Sequence, residues 1–311
     1  MTDASPPPPV TPSAGMLEPL VSLRRRWPVL LVAALTLGMV IGLANELLDH
    51  GTRGLTRSIP TSPFFYLFFL VSYFALPISD FVIYRRLWGI PAKAFGPLNR
   101  KRIANDVLLG YTGDAYFYAW ARARLQMVAA PFGAVKDATI VSGIAGNVVT
   151  IALSAVALPL GWELISPATR TAMLWSLSIP LAVSVLVLAF KRRVFSLPRA
   201  DLLFIFWTDT VRLVVSSVAQ GLAWAFAMPS VGIGMWLFLT TVRLLVSRLP
   251  LVPNKDLLFA NFAILVIGQD AKLSNLVAFT AASTLLMHVL IVVGFGIADG
   301  SERMKAWRRA A

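Results

Sequence analysis

The feature that most constrains this chain is the recurrence of apolar stretches about as long as a bilayer is thick. They cover 27–48, 63–84, 138–160, 172–190, 202–228, 231–249 and 273–298. Each is close to the roughly 20 helical residues that cross a hydrocarbon core of about 30 Å. Inside hydrocarbon every backbone polar group must be satisfied within the structure, which leaves only helices and closed barrels. A barrel would show short segments alternating in polarity, whereas these runs are continuously apolar. The composition agrees: 57% of residues are hydrophobic, 14% are charged, and the mean hydropathy is +0.73. The sequence therefore predicts an all-α polytopic integral membrane protein.

The net charge of +13 would suggest nucleic acid in a soluble chain. Here the basic residues flank the apolar runs, at Arg24-Arg25-Arg26, Arg85-Arg86, Lys191-Arg192-Arg193 and Arg303 to Arg309. That is the positive-inside pattern that orients helices, so no nucleic-acid partner is expected. A further apolar run, 257–268, is short for a span. If it crosses, the chain has about eight transmembrane helices, one or two of them broken or re-entrant. Both termini then lie in the cytoplasm, and only Arg53, Arg57, Arg170 and Lys272 lie outside. The expected organisation is a Pro-rich disordered tail over 1–23, one transmembrane domain over 24–298 and a basic tail over 299–311. Lys93, Arg100, Lys101 and Arg102 read as a basic loop after the second span, and Glu46 and Asp80 as interfacial residues. The absence of cysteine excludes disulfides and thiolate chemistry. With only His50 and His288, neither a metal site nor a cofactor is expected.

Two stretches depart from the apolar pattern. Residues 243–261 carry Arg243 and Arg248, then Pro250 and Pro253, then a polar turn Asn254-Lys255-Asp256. Proline lacks an N–H and clashes with the preceding turn, so the helix breaks there. Residues 104–127 combine Asp106, Asp114, Arg122 and Arg124 with glycines and aromatics. Such a segment fits a re-entrant, interfacial or short cytoplasmic helix. Polar stripes also mark four spans. They are Gly143, Asn147, Thr150 and Ser154; Asp209, Arg212, Ser216 and Gln220; Thr240, Arg243 and Ser247; and Thr280, Thr284 and His288. Helical periodicity places each set on one face. Charged residues at membrane depth are costly and pair or face water. Asp209 and Arg212 are expected to pair, with Arg243 joining them, either as an internal packing device or as the wall of a polar groove. His288 reads as a packed polar residue. No nucleophile elbow, phosphate loop or paired-histidine helix is present, so an enzyme is not expected.

Residues Leu109-Gly110-Tyr111-Thr112-Gly113-Asp114 and Leu249-Pro250-Leu251-Val252-Pro253-Asn254-Lys255 carry a resemblance. The chain resembles the flippase-like transmembrane domain of bacterial lysylphosphatidylglycerol synthases, over most of 24–298. It departs from that pattern in four places. The first motif lacks its proline, and Asn254-Lys255 replaces a glycine pair. The acidic residue expected a few positions after the second motif is missing, with Asp256 and Ala260 nearby, and the third span has small or neutral residues around Gly143 and Asn147. The aminoacyl-transferring domain is not part of this sequence, so lipid lysylation is not implied. The resemblance implies a bacterial inner-membrane protein that moves a lipid or lipid-linked substrate between leaflets. Arg122, Arg124, Arg243, Arg248 and Lys255 would complement phosphate, since the guanidinium fork suits it. Asp114 and Asp256 would contact an amine or position those cations, beside Asp209 and Arg212. The expected partners are membrane lipids with anionic headgroups, with a homo-oligomer or a membrane enzyme as a further partner. The alternative reading is a non-transporting scaffold for an envelope lipid or glycan assembly enzyme.

Overall fold

The computed structural model describes residues 59–107, 111–124, 132–160, 195–249, 255–267 and 271–310, with isolated positions at 171, 178, 182, 184 and 185. The expected N-terminal tail, the first span and most of the 172–190 span lie outside the described residues. The regular elements described are all helical. They are α1 (Pro63–Trp88), α2 (Phe95–Val107), α3 (Thr112–Arg124), α4 (Phe132–Leu160), α5 (Arg199–Ala227), α6 (Ile233–Ser247), α7 (Lys255–Ile267) and α8 (Ala271–Ala310). A 3-10 turn, Ala92–Ala94, leads into α2.

Four of these helices are long and apolar enough to cross a membrane: Pro63–Trp88, Gly133–Leu160, Arg199–Ala227 and Lys272–Phe295. The chain is a multi-pass membrane protein on this ground. Proline at the first position starts α1, and Gly89 ends it with φ of 63° and an N–H donated to the Arg85 carbonyl. The outer face of α5 leaves Trp207, Val211, Val214 and Val218 exposed, as a lipid-facing surface would. Helix α8 runs on through the segment read from sequence as a basic tail, as far as Ala310.

Side-chain contacts fix how the helices run. Ser72 meets Ser216, Ser79 meets Asp209 and Arg86 meets Asp201, so α1 and α5 lie antiparallel. Trp224 on α5 marks one end. Its ring lies 6.0 Å from both Trp236 on α6 and Phe259 on α7, and its indole N–H donates to Thr280 on α8 at 3.0 Å. The opposite end is marked by Trp88, stacked on Phe117 of α3. Helix α4 joins both ends: Asp137 accepts the backbone N–H groups of Ser196 and Leu197 just before α5, and Leu160 packs beside Gly234.

Two helix pairs run only part of the way. Helices α6 and α7 leave the Trp224 end together, and their facing tips meet where Arg243 contacts Asp256. Helices α2 and α3 start and finish nearer the Trp88 end, with Arg102 of α2 reaching Tyr73 midway along α1. Each of these four helices is about 20 Å long at 1.5 Å per residue, short of a hydrocarbon core of about 30 Å. The basic loop expected around Arg100 to Arg102 is thus the helix α2, and its Lys101 and Arg102 are buried. The hairpin α2–α3 closes because Gly113 has no side chain: a Cβ there would overlap the Lys101 carbonyl oxygen.

Apolar packing falls mainly into two clusters, with a small third one of Val149, Leu213 and Leu244. One cluster gathers Phe65, Phe69, Trp224, Trp236, Phe259 and Leu276. The other gathers Ile83, Tyr84, Leu98, Phe117, Val141 and Ile205. The polar residues lie between them.

Candidate functional site: a charged cavity between two apolar cores

Between the two clusters is a cavity of about 650 Å³. It draws on α1 to α8, and the tips of both short helix pairs form part of its wall. Its lining includes Lys101, Arg102, Arg212, Arg243, Arg248 and Lys255 against Asp80, Asp106, Asp114, Asp209 and Asp256. Among the described residues six cations thus face five carboxylates, an imbalance that matters because charges removed from bulk water need partners.

Most of the charges are matched. Lys101 Nζ lies 3.0 Å from Asp80 and 3.3 Å from Asp114. Two carboxylates thus flank one buried ammonium. Asp114 also accepts from Asn105 and Thr139, each at 3.0 Å. Arg212 Nε donates to Asp209 at 2.8 Å, and Ser79 donates to the same carboxylate oxygen. Arg243 grips Asp256 with Nε at 2.9 Å and Nη2 at 3.1 Å, the two-pronged geometry that makes Arg–carboxylate pairs strong. Arg102 Nε donates to Asp106 at 3.3 Å.

Arg248 and Lys255 differ. Both converge on Ser247: Arg248 Nε and Nη2 donate to its hydroxyl at 3.1 and 3.0 Å, and Lys255 Nζ donates to its carbonyl at 2.8 Å. Neither has a carboxylate partner among the described residues. The Arg248 guanidinium also lies against Gly146 of α4, where a Cβ would overlap it. Two cations at one serine repel each other, so this corner of the cavity attracts an anion.

The cavity brings together Asp114, Asp209, Arg212, Arg243, Arg248, Lys255 and Asp256 from the sequence reading. The side chains of Arg122 and Arg124 lie outside the described residues, although α3 carries both positions. One expected pairing is corrected: Arg243 does not join Asp209 and Arg212 but binds Asp256. Helix α7 packs beside α6, so the cation meets the acid 13 residues onward in the chain. Asp80, read as interfacial, is 7% exposed and holds Lys101.

The sequence reading missed Asp80, Lys101, Arg102 and Asp106 as cavity residues. A signal existed: Arg102 and Asp106 are four apart, the spacing of a helical ion pair, across the boundary between the segment read as a basic loop and the polar stretch read from 104. The stripes are divided. Asn147, Ser216, Ser247, Thr284 and His288 reach the cavity, while Thr150 and Thr240 bond carbonyls of their own helices and Thr280 holds Trp224. Tyr111, at the α2–α3 turn, lines the cavity with φ of 76°, a conformation that costs a bulky residue about 1–2 kcal/mol. Among the described residues no group of histidines and carboxylates is placed to hold a metal ion. The chain matches no protein-family profile, no curated protein and no solved structure.

Proposed function

We propose that this protein moves the charged headgroup of a lipid, or of a lipid-linked molecule, across the membrane through the cavity. The observation that carries the reading is a charged cavity about midway along α1 and α5, approached from opposite ends by helix pairs too short to cross. In this reading α2–α3 and α6–α7 are re-entrant hairpins. Broken backbone is tolerated at membrane depth where protein or a wet cavity covers it, and Tyr111, Leu249 and Lys255, which flank the two breaks, line such a cavity. The Trp88 end, with Arg85, Arg86 and Arg199, faces the cytoplasm of a bacterial inner membrane by the positive-inside rule, with both termini on that side.

A headgroup costs several kcal/mol or more to carry through hydrocarbon unless its charge is matched. Arg248 and Lys255 supply that match for phosphate. The acyl chains stay in the lipid, beside apolar surfaces such as the outer face of α5. The cavity lies within the range of about 300–1,000 Å³ that holds small ligands. The resemblance to flippase-like domains points the same way.

The test is leaflet exchange in liposomes reconstituted with the protein and headgroup-labelled phospholipids, anionic and zwitterionic. Exchange above protein-free controls is expected, with a fall of tenfold or more in Arg248→Gln/Lys255→Gln. Exchange equal to the controls for every headgroup would refute the reading.

A further inference from the structure

His288 is an unusual lining residue. Its ring is 5% exposed, yet neither nitrogen has a hydrogen-bond partner among the described residues. Buried polar groups are overwhelmingly bonded, and an exception calls for a reason. The groups around the ring come from three other helices. The Tyr73 ring of α1 lies 5.6 Å away, centroid to centroid. From α2, Asp106 Oδ2 lies 3.5 Å from Nε2, close enough for ionic attraction but not aligned as a hydrogen bond. Arg102 of α2 sits over Tyr73 at 3.9 Å, and Asp256 of α7 is within electrostatic reach. On its own helix, Thr284 spends its hydroxyl on the Thr280 carbonyl.

Asp106 is therefore one carboxylate between two potential cations. Its Oδ2 already accepts from Arg102 Nε, and Arg102 Nη1 is itself buried without a partner. The Asp106 side chain is 36% exposed and opens to the cavity. Water from the cavity thus reaches the carboxylate that faces the imidazole.

We propose that His288 is a proton-binding site with Asp106 as its counter-ion, and that its proton is coupled to the anion held by the cavity. Neutral imidazole keeps one N–H and leaves its second nitrogen with an unused lone pair. Uptake of one proton from cavity water puts a hydrogen on both nitrogens and makes Nε2–H a donor to Asp106. Asp106 then shares its charge between His288 and Arg102 and neutralises Arg102 less fully, which leaves more positive potential for an anion in the cavity. Protonation also adds one positive charge to a wall that already has one cation in excess. By linkage an anion in the cavity must strengthen proton binding to the same extent that the proton strengthens anion binding. Imidazole is the side chain whose charge changes in the pH 5–8 range.

The proton site stands on its own geometry, and only the coupling to translocation rests on the transport reading. Because the chain has just two histidines, His50→Gln leaves His288 as the sole imidazole. Nitrogen-15 histidine spectra of that variant in nanodiscs, titrated from pH 5 to 8, should show one charging transition. Asp106→Asn should lower its midpoint by about one unit or more. Should that variant fail to fold, Arg102→Gln serves instead, and its midpoint should rise. Inorganic phosphate, or anionic lipid in the nanodisc, should also raise the midpoint of the parent variant. A ring that does not charge in that range, or a midpoint unmoved by the Asp106 or Arg102 change, overturns the proton site. A midpoint that ignores both anions overturns the coupling. Titration without leaflet exchange in liposomes would defeat the transport reading alone.

Discussion

Replacing Lys101 with methionine tests the cavity wall most directly. Methionine keeps the length and removes the charge, leaving Asp80 without its bonded cation. The Lys101 side chain is 9% exposed, with carboxylates at 3.0 and 3.3 Å. At an effective dielectric of about 20, each contact amounts to about 5 kcal/mol of attraction, partly offset by the desolvation of the ions. Removing one partner of such a buried set destabilises by about 3–5 kcal/mol. Asp114 keeps its bonds from Asn105 and Thr139, so most of the loss should fall on Asp80. Lys101→Met/Asp80→Asn should therefore recover at least half of it. Unfolding by SDS titration in mixed micelles, followed by tryptophan fluorescence, measures both variants. If Lys101→Met loses less than about 1 kcal/mol, the value of an exposed pair, Lys101 is a solvated surface charge and the wall is misread. A double variant no more stable than the single would equally defeat Asp80 as its partner.

Other substitutions probe the two hairpins. Gly113→Ala places a Cβ on the Lys101 carbonyl and should cost about 1–3 kcal/mol, the range for overpacking, in the same assay. Tyr111→Gly removes the left-handed strain from a ring that is 60% exposed. It should raise stability by about 1 kcal/mol, and an unchanged midpoint would mean that the turn stores no strain. Reversing Arg243 and Asp256 singly should destabilise α6–α7, whereas Arg243→Asp/Asp256→Arg should recover most of the loss. The double-mutant cycle should give a coupling of about 1–3 kcal/mol, while a coupling near zero would remove the pair as the clasp of that hairpin.

What the sequence determined by itself was the class and the materials. Apolar runs the length of a bilayer leave no alternative to helices, and the positions of α1, α4, α5 and α8 follow from them. Charge in an apolar chain is conspicuous for the same reason, so Asp209, Arg212, Arg243, Arg248, Lys255 and Asp256 were legible as a set. Their partners were not. Helical periodicity says which residues share a face but not which helix that face meets. Arg243 therefore read as a neighbour of Asp209, whereas the packing of α7 beside α6 gives it Asp256. Lys101 and Arg102 read as loop charges because a basic segment beside a span satisfies the positive-inside rule wherever it folds. Only the packing of α2 against α1 carries them inward to Asp80 and Tyr73. The cavity lies between apolar clusters where α2, α3, α6 and α7 bring their charged residues together, and that placement is set by contacts between helices far apart in the chain.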